Sequence, residues 1–116
     1  MTTRSSAKIG TVTFTGKSGN TYEFGIYLID TSFKKNYGAV YFITRRYKKT
    51  DGGHSHKEIY VGQTSDLSER FDDHHKWDCF VKNGANCACI YGEGNELVRL
   101  RIEQDLIKNY DPPCNG

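Results

Sequence analysis

No hydrophobic run in this chain approaches the roughly 18 residues that a membrane span needs. Behind the first methionine there is no apolar h-region: Met1 to Lys8 is polar, so no secretory leader is read there. The four cysteines, Cys79, Cys87, Cys89 and Cys114, include no C-x-x-C pair. A C-x-C alongside His54 and His56 departs from the usual structural zinc spacings, although a zinc protein built on those four residues stays a competing reading. Without a leader no disulfide framework is expected, and the cysteines read as reduced and structurally incidental in a cytoplasmic protein. A Gly-rich phosphate loop and a cofactor fingerprint are also missing, which speaks against a small-molecule enzyme. Internal repeats and low-complexity tracts are absent, as is any helix-turn-helix or zinc finger that would read DNA sequence. Neither sign of charge is in large excess. A net charge of +2 permits a polyanionic partner without demanding one.

What is present argues for a folded domain. A chain of 116 residues is one domain. Its eight Tyr, six Phe and one Trp favour a β-containing fold over disorder. Ile9 to Thr15 alternates β-branched and aromatic residues and reads as a strand. Gly16 to Asn20 is turn chemistry, and Thr21 to Ile29 completes a hairpin. Ala39 to Tyr47 is a third strand, its apolar centre marking a buried position. Glu58 to Gly62 pairs back on it after a loop rich in Gly and Asp.

The period then changes. Ser65 to Lys76 is predicted helical, with Leu67 and Phe71 on its core face. A short strand, Cys87 to Tyr91, precedes a final helix over Glu96 to Tyr110, started by Gly94 or Asn95 and stopped by Asp111-Pro112-Pro113. Leu100, Leu106, Ile107 and Tyr110 are its expected apolar stripe. The fold class is α+β: a small mixed or antiparallel sheet flanked by helices, with an extra N-terminal β-hairpin. Residues 1–37 would form that extension and residues 38–116 the core of one compact domain.

Three features carry chemistry. Glu103 lies within the helix's apolar stripe, where a carboxylate is costly unless paired or bound to a metal. It would either pair with Arg99 four residues earlier or serve as a hard-oxygen ligand. Arg70 has His74 and Trp77 as its helix mates; this is either a solvated face or a phosphate clamp. Tyr41 and Tyr60 occupy the two central strands.

Taken in order, Ala39-Val40-Tyr41, Tyr60-Val61-Gly62, Asp66-Leu67-Ser68-Glu69-Arg70, Glu103 and Pro113-Cys114-Asn115 resemble the five sequence blocks of GIY-YIG nucleases. The resemblance covers residues Gly38 to Asn115 and rests on block order and spacing together. The opening Gly of that family's pattern is Ala39 here, with Gly38 one place earlier. A literal Gly25-Ile26-Tyr27 lies too far upstream and is read as a decoy.

The resemblance implies a metal-dependent DNA endonuclease with one Mg²⁺ or Mn²⁺ ion on Glu103. Arg70 would hold the scissile phosphate. Tyr41 would orient or deprotonate the water, helped by a nearby cation such as His74 or a lysine, since a free tyrosine has a pKa of about 10. Tyr60 would hydrogen-bond the phosphate or the nucleophile, and Asn115 would tie the C-terminal segment to the site. Similar proteins serve repair, mobile elements and restriction. For the DNA itself, Arg45, Arg46, Lys48, Lys49 and Lys57 cluster around the third-to-fourth-strand hairpin. They would contact phosphates, or equally would protect a solvated edge. The alternative function is a non-catalytic nucleic-acid-binding or partner-docking module on the same fold.

Overall fold

In the computed structural model, which describes residues 8–69 and 71–116, the most apolar strand becomes the spine of the sheet. β1 (Gly10–Thr15), β2 (Thr21–Leu28), β3 (Ala39–Lys48), β4 (His54–Thr64) and β5 (Cys87–Gly92) form one sheet in the order β1-β2-β5-β3-β4. Every pairing is antiparallel, and the sheet is curled. β3 lies between β5 and β4, and its first six residues are all buried. That is why Val40, Phe42 and Ile43 run together where a half-exposed strand would alternate.

The sheet buries both faces. On one, Phe14, Phe24, Val40, Phe42 and Val61 pack under α2 (Glu96–Tyr110), whose Ile102 and Leu106 point inward. On the other, Ala39, Tyr41, Ile43 and Ile90 are covered by Leu67, Phe71, Phe80 and Cys114. These come from the segment after β4, from α1 (Trp77–Lys82) and from a C-terminal 3-10 turn at Pro113–Asn115. The α+β expectation and the order of elements hold, and the N-terminal hairpin extends the sheet rather than standing apart from it. Among the described residues no helix is long and apolar enough to cross a membrane.

α2 spans the expected residues because Asn95 caps it: its side-chain oxygen accepts from Val98 N–H at 3.1 Å. Its apolar stripe differs from the sequence reading. Ile102 is buried where Leu100 was expected, and Leu100 remains 38% exposed.

The helix predicted over Ser65 to Lys76 does not form. The segment holds turns and a 3-10 turn at Phe71–Asp73, and α1 begins only at Trp77. Side chains satisfy the backbone locally instead. Thr64 Oγ1 accepts from Asp66 N–H at 3.1 Å, and Asp66 Oδ1 accepts from Ser68 N–H at 3.0 Å and from Asn36 N–H at 3.2 Å. Such side-chain-to-backbone bonds compete directly with helix formation. Leu67 and Phe71 are still buried, as a loop that packs rather than a helix face.

The cysteines correct a second expectation. Cys79 on α1 and Cys114 on the C-terminal turn form a disulfide, with Cα atoms 5.9 Å apart. Cys87 and Cys89 are free and buried.

Candidate active site

Tyr41 and Gly62 face each other across β3 and β4. A methyl group on Gly62 would collide with the Tyr41 ring, so the ring lies across β4 at the one residue without a side chain. This carries the Tyr41 hydroxyl toward the outer edge of the sheet. There it sits 2.9 Å from His74 Nε2. Tyr60 lies two residue pairs further along, opposite Ile43 on the same face. Its ring centroid is 6.1 Å from Tyr41, 5.1 Å from His74 and 5.3 Å from Phe80.

His74 is held in a defined state. Lys76 N–H donates to its Nδ1 at 3.0 Å, so Nδ1 must be an acceptor. The neutral ring therefore carries its proton on Nε2 and donates it to the Tyr41 oxygen. Burial, aided by the charges of His75 and Lys76, lowers the His74 pKa to about 4. The expectation that His74 lends positive charge to a tyrosine is corrected: near neutral pH it is an uncharged donor.

Burial raises the pKa of Tyr41, which is 6% exposed; the neighbouring Tyr60 and the charge of Glu103 raise it further. Burial and Glu103 also raise Tyr60, whereas its hydrogen bond with Tyr41 lowers it. The pair is thus polarised. The Tyr41 hydroxyl receives from His74 and supports Tyr60, which is the easier of the two to ionise.

Glu103 itself is half-buried, and desolvation raises its pKa. Its expected salt-bridge partner is engaged elsewhere. Arg99, only 4% exposed, donates through Nε to Gln63 Oε1 at 2.9 Å and through Nη1 to the carbonyls of Glu93 and Gly94, both at 3.0 Å. Gly38 is required there, because a side chain would meet the Arg99 guanidinium. The position that the motif reading passed over, one residue before Ala39, has this packing role.

No protein-family model, curated protein or solved structure matches the chain.

Asn115 ties the C-terminal turn to β4. Its Oδ1 accepts from Val61 N–H and its Nδ2 donates to Val61 C=O, both at 2.9 Å, on the residue after Tyr60. Arg70 lies outside the described residues. With no helix over Ser65 to Lys76, however, His74 and Trp77 do not share a helix face across that segment. A cavity of about 70 Å³ opens beside Tyr41 and His74, lined also by Thr64, Asp66, Leu67, Glu69 and Phe71. Glu69, within the Asp66 to Arg70 block, is placed by the loop as a carboxylate lining this cavity beside the tyrosine–histidine pair. Among the described residues no group of three or more His, Cys, Asp or Glu side chains is arranged to hold a metal ion. Glu103 would therefore be a lone anchoring carboxylate. His56 uses Nδ1 on Thr44 Oγ1 at 2.8 Å, and Thr44 Oγ1 is 3.9 Å from Cys89 Sγ.

The basic residues are brought together only partly. Arg45 pairs across the strands with Lys57 on the tyrosine face, while Arg46 pairs with His56 on the opposite face. Arg45, Lys48, Lys49 and Lys57 are exposed, and Arg46 is half-buried. Lys49 lies 3.9 Å from Asp51 within the hairpin loop.

Proposed function

We propose that this chain is a metal-dependent endonuclease of the GIY-YIG type, hydrolysing DNA phosphodiester bonds with one Mg²⁺ or Mn²⁺ ion. One observation carries the reading: two tyrosines from neighbouring strands, a neutral histidine donor and a partly desolvated glutamate from α2 act on one another at one edge of the sheet. Ordinary structural packing does not require a carboxylate whose charge raises two tyrosines and whose expected partner, Arg99, is engaged elsewhere.

Glu103 fits a hard divalent cation. Its oxygens are partly desolvated, and Mg²⁺ keeps several waters and needs few protein ligands. When bound, the ion would neutralise charge on the leaving 3′ oxygen and on Glu103 itself.

The chain's own residues do the rest. Tyr60 hydrogen-bonds the attacking water and, once its own proton has passed to solvent, accepts the proton that the water gives up; its bond to Tyr41 favours that ionised form against the burial and the Glu103 charge that oppose it. Tyr41 is held in place by His74 and orients that exchange. Asn115 fixes the backbone of β4 at Val61, which sets where the Tyr60 hydroxyl points. Arg70 holds the scissile phosphate. Arg45 and Lys57, like charges directly opposite on the same face, repel each other until a polyanion lies between them. They sit about 13 Å along β3 from Tyr41, four residues at strand rise, within reach of flanking phosphates.

The deciding experiment incubates wild-type protein and Glu103→Ala with supercoiled plasmid and with branched DNA, in Mg²⁺, Mn²⁺ or EDTA. Cutting by the wild type alone, only with metal, and at least about 10³-fold slower for the variant at unchanged DNA affinity, is the expected result. Equal cutting by both proteins would remove Glu103 from the mechanism. DNA binding without any cutting would favour the binding module.

A further inference from the structure

Tyr60 is held from two sides. Phe80 of α1 packs on its ring at 5.3 Å, and Asn115 of the C-terminal turn grips Val61 by both backbone groups. Those two holders are covalently joined. Cys79 precedes Phe80, Cys114 precedes Asn115, and the two cysteines form the disulfide. Asn83 adds to the junction, donating to Cys79 C=O at 2.8 Å and lying 3.7 Å and 3.6 Å from the two sulfurs. The bridge spans 35 residues of sequence, which include β5 and α2 with Glu103. Its two sulfurs differ in access: Cys79 is half-buried, whereas Cys114 is 1% exposed. The other two cysteines are buried in the opposite layer and unbridged.

We infer that the Cys79–Cys114 bridge is a redox switch on this site. Oxidised, it presses the Asn115 clamp against β4 and Phe80 against Tyr60. Reduced, it leaves the C-terminal turn attached by noncovalent contacts alone and lets the clamp open. The reductant is a dithiol: its thiolate attacks the accessible Cys79 sulfur, and Cys114 leaves as a thiolate. The second thiol then resolves the mixed disulfide. Two electrons and two protons pass to the protein, and the dithiol ends as a disulfide. The effect on phosphodiester cleavage rests on the endonuclease reading; the effect on the clamp does not.

The test reads the clamp directly through amide hydrogen exchange at Val61, whose N–H donates to Asn115. In protein purified without reductant, a thiol assay under denaturing conditions should count two free thiols. Adding dithiothreitol, or making Cys79→Ser, should speed Val61 exchange by about tenfold or more, the factor one net hydrogen bond contributes. Amides of β2 and β5 should keep their protection, showing that the fold persists. Asn115→Ala should show the fast Val61 exchange with or without dithiothreitol. Four free thiols in the purified protein, or Val61 exchange unchanged by reduction, would overturn the switch. If DNA cutting is then measured, a loss on reduction that is reversed by reoxidation extends the switch to activity. Protein that never cuts but shows the Val61 response keeps the switch and loses the endonuclease.

Discussion

Gly62 is the smallest residue near the site and the one that sets its geometry. The Tyr41 ring crosses β4 only because that position has no side chain. Gly62→Ala would push a buried ring against Phe71, 5.2 Å away, and against the His74 bond. We expect a destabilisation of about 1–3 kcal/mol, the usual cost of overpacking. DNA cutting should fall by more than that stability loss explains, measured at a temperature where the variant is fully folded. Unchanged cutting would mean that the Tyr41 hydroxyl need not reach the sheet edge. His74 offers a second check at the same scale. Its folded pKa, about 4, lies below its ordinary value of 6.5. As pH falls from 6.5 toward 4 the unfolded chain binds a proton that the folded chain resists, so stability should drop across that window and level off below it. The chief reason is that burial penalises the charged ring, with the charges of His75 and Lys76 adding to it; protonating Nδ1 would also forfeit its bond from Lys76 N–H. A proton NMR titration should place the His74 midpoint near 4; a midpoint at 6.5 would contradict the buried, neutral histidine.

The elements were legible from the sequence where local chemistry and burial agree. α2 begins where Asn95 can cap it and ends where Asp111 takes a left-handed conformation, φ 45°, before two prolines. Asn95→Ala should therefore cost about 1 kcal/mol, visible as a lower Tm of the whole domain. A null effect would mean that packing under β1 and β4 alone fixes that end of the helix. The segment after β4 was misread because its period was real but its backbone was not free. Leu67 and Phe71 are spaced as on a helix, yet Thr64, Asp66 and His74 spend their side chains on nearby N–H groups. Propensity reasoning cannot weigh such bonds without the turn in hand. The Cys79–Cys114 pair is hidden for a different reason: the proximity of the two residues is a product of the tertiary fold, and spacing says nothing about it. The tyrosines, Glu103 and Asn115 could be chosen from block order, whereas the roles of Gly62, His74 and Arg99 needed the packing that only the fold supplies.

At the scale of the molecule, the N-terminal hairpin and the site share one sheet but not one layer. Phe14 and Phe24 pack on Phe42 at 4.3 and 6.3 Å, under α2, while Tyr41 and Tyr60 lie on the opposite face. α2 is stitched to the hairpin as well: Tyr110 Oη accepts from Thr15 N–H at 3.0 Å, and Asn109 Nδ2 donates to Thr15 C=O at 2.7 Å. Since α2 also carries Glu103, the hairpin supports the site through the helix rather than by touching it. Phe14→Ala separates these roles. Removing a buried ring, 3% exposed, should cost about 3–5 kcal/mol in denaturant unfolding. If the variant still folds, Glu103 should keep its position relative to the tyrosines only while α2 stays docked. Cutting should then fall in parallel with the fraction folded, and the DNA affinity proposed for the β3–β4 hairpin should follow it only on full unfolding. A large loss of cutting in a fully folded Phe14→Ala protein would instead place part of the substrate contact on the hairpin itself.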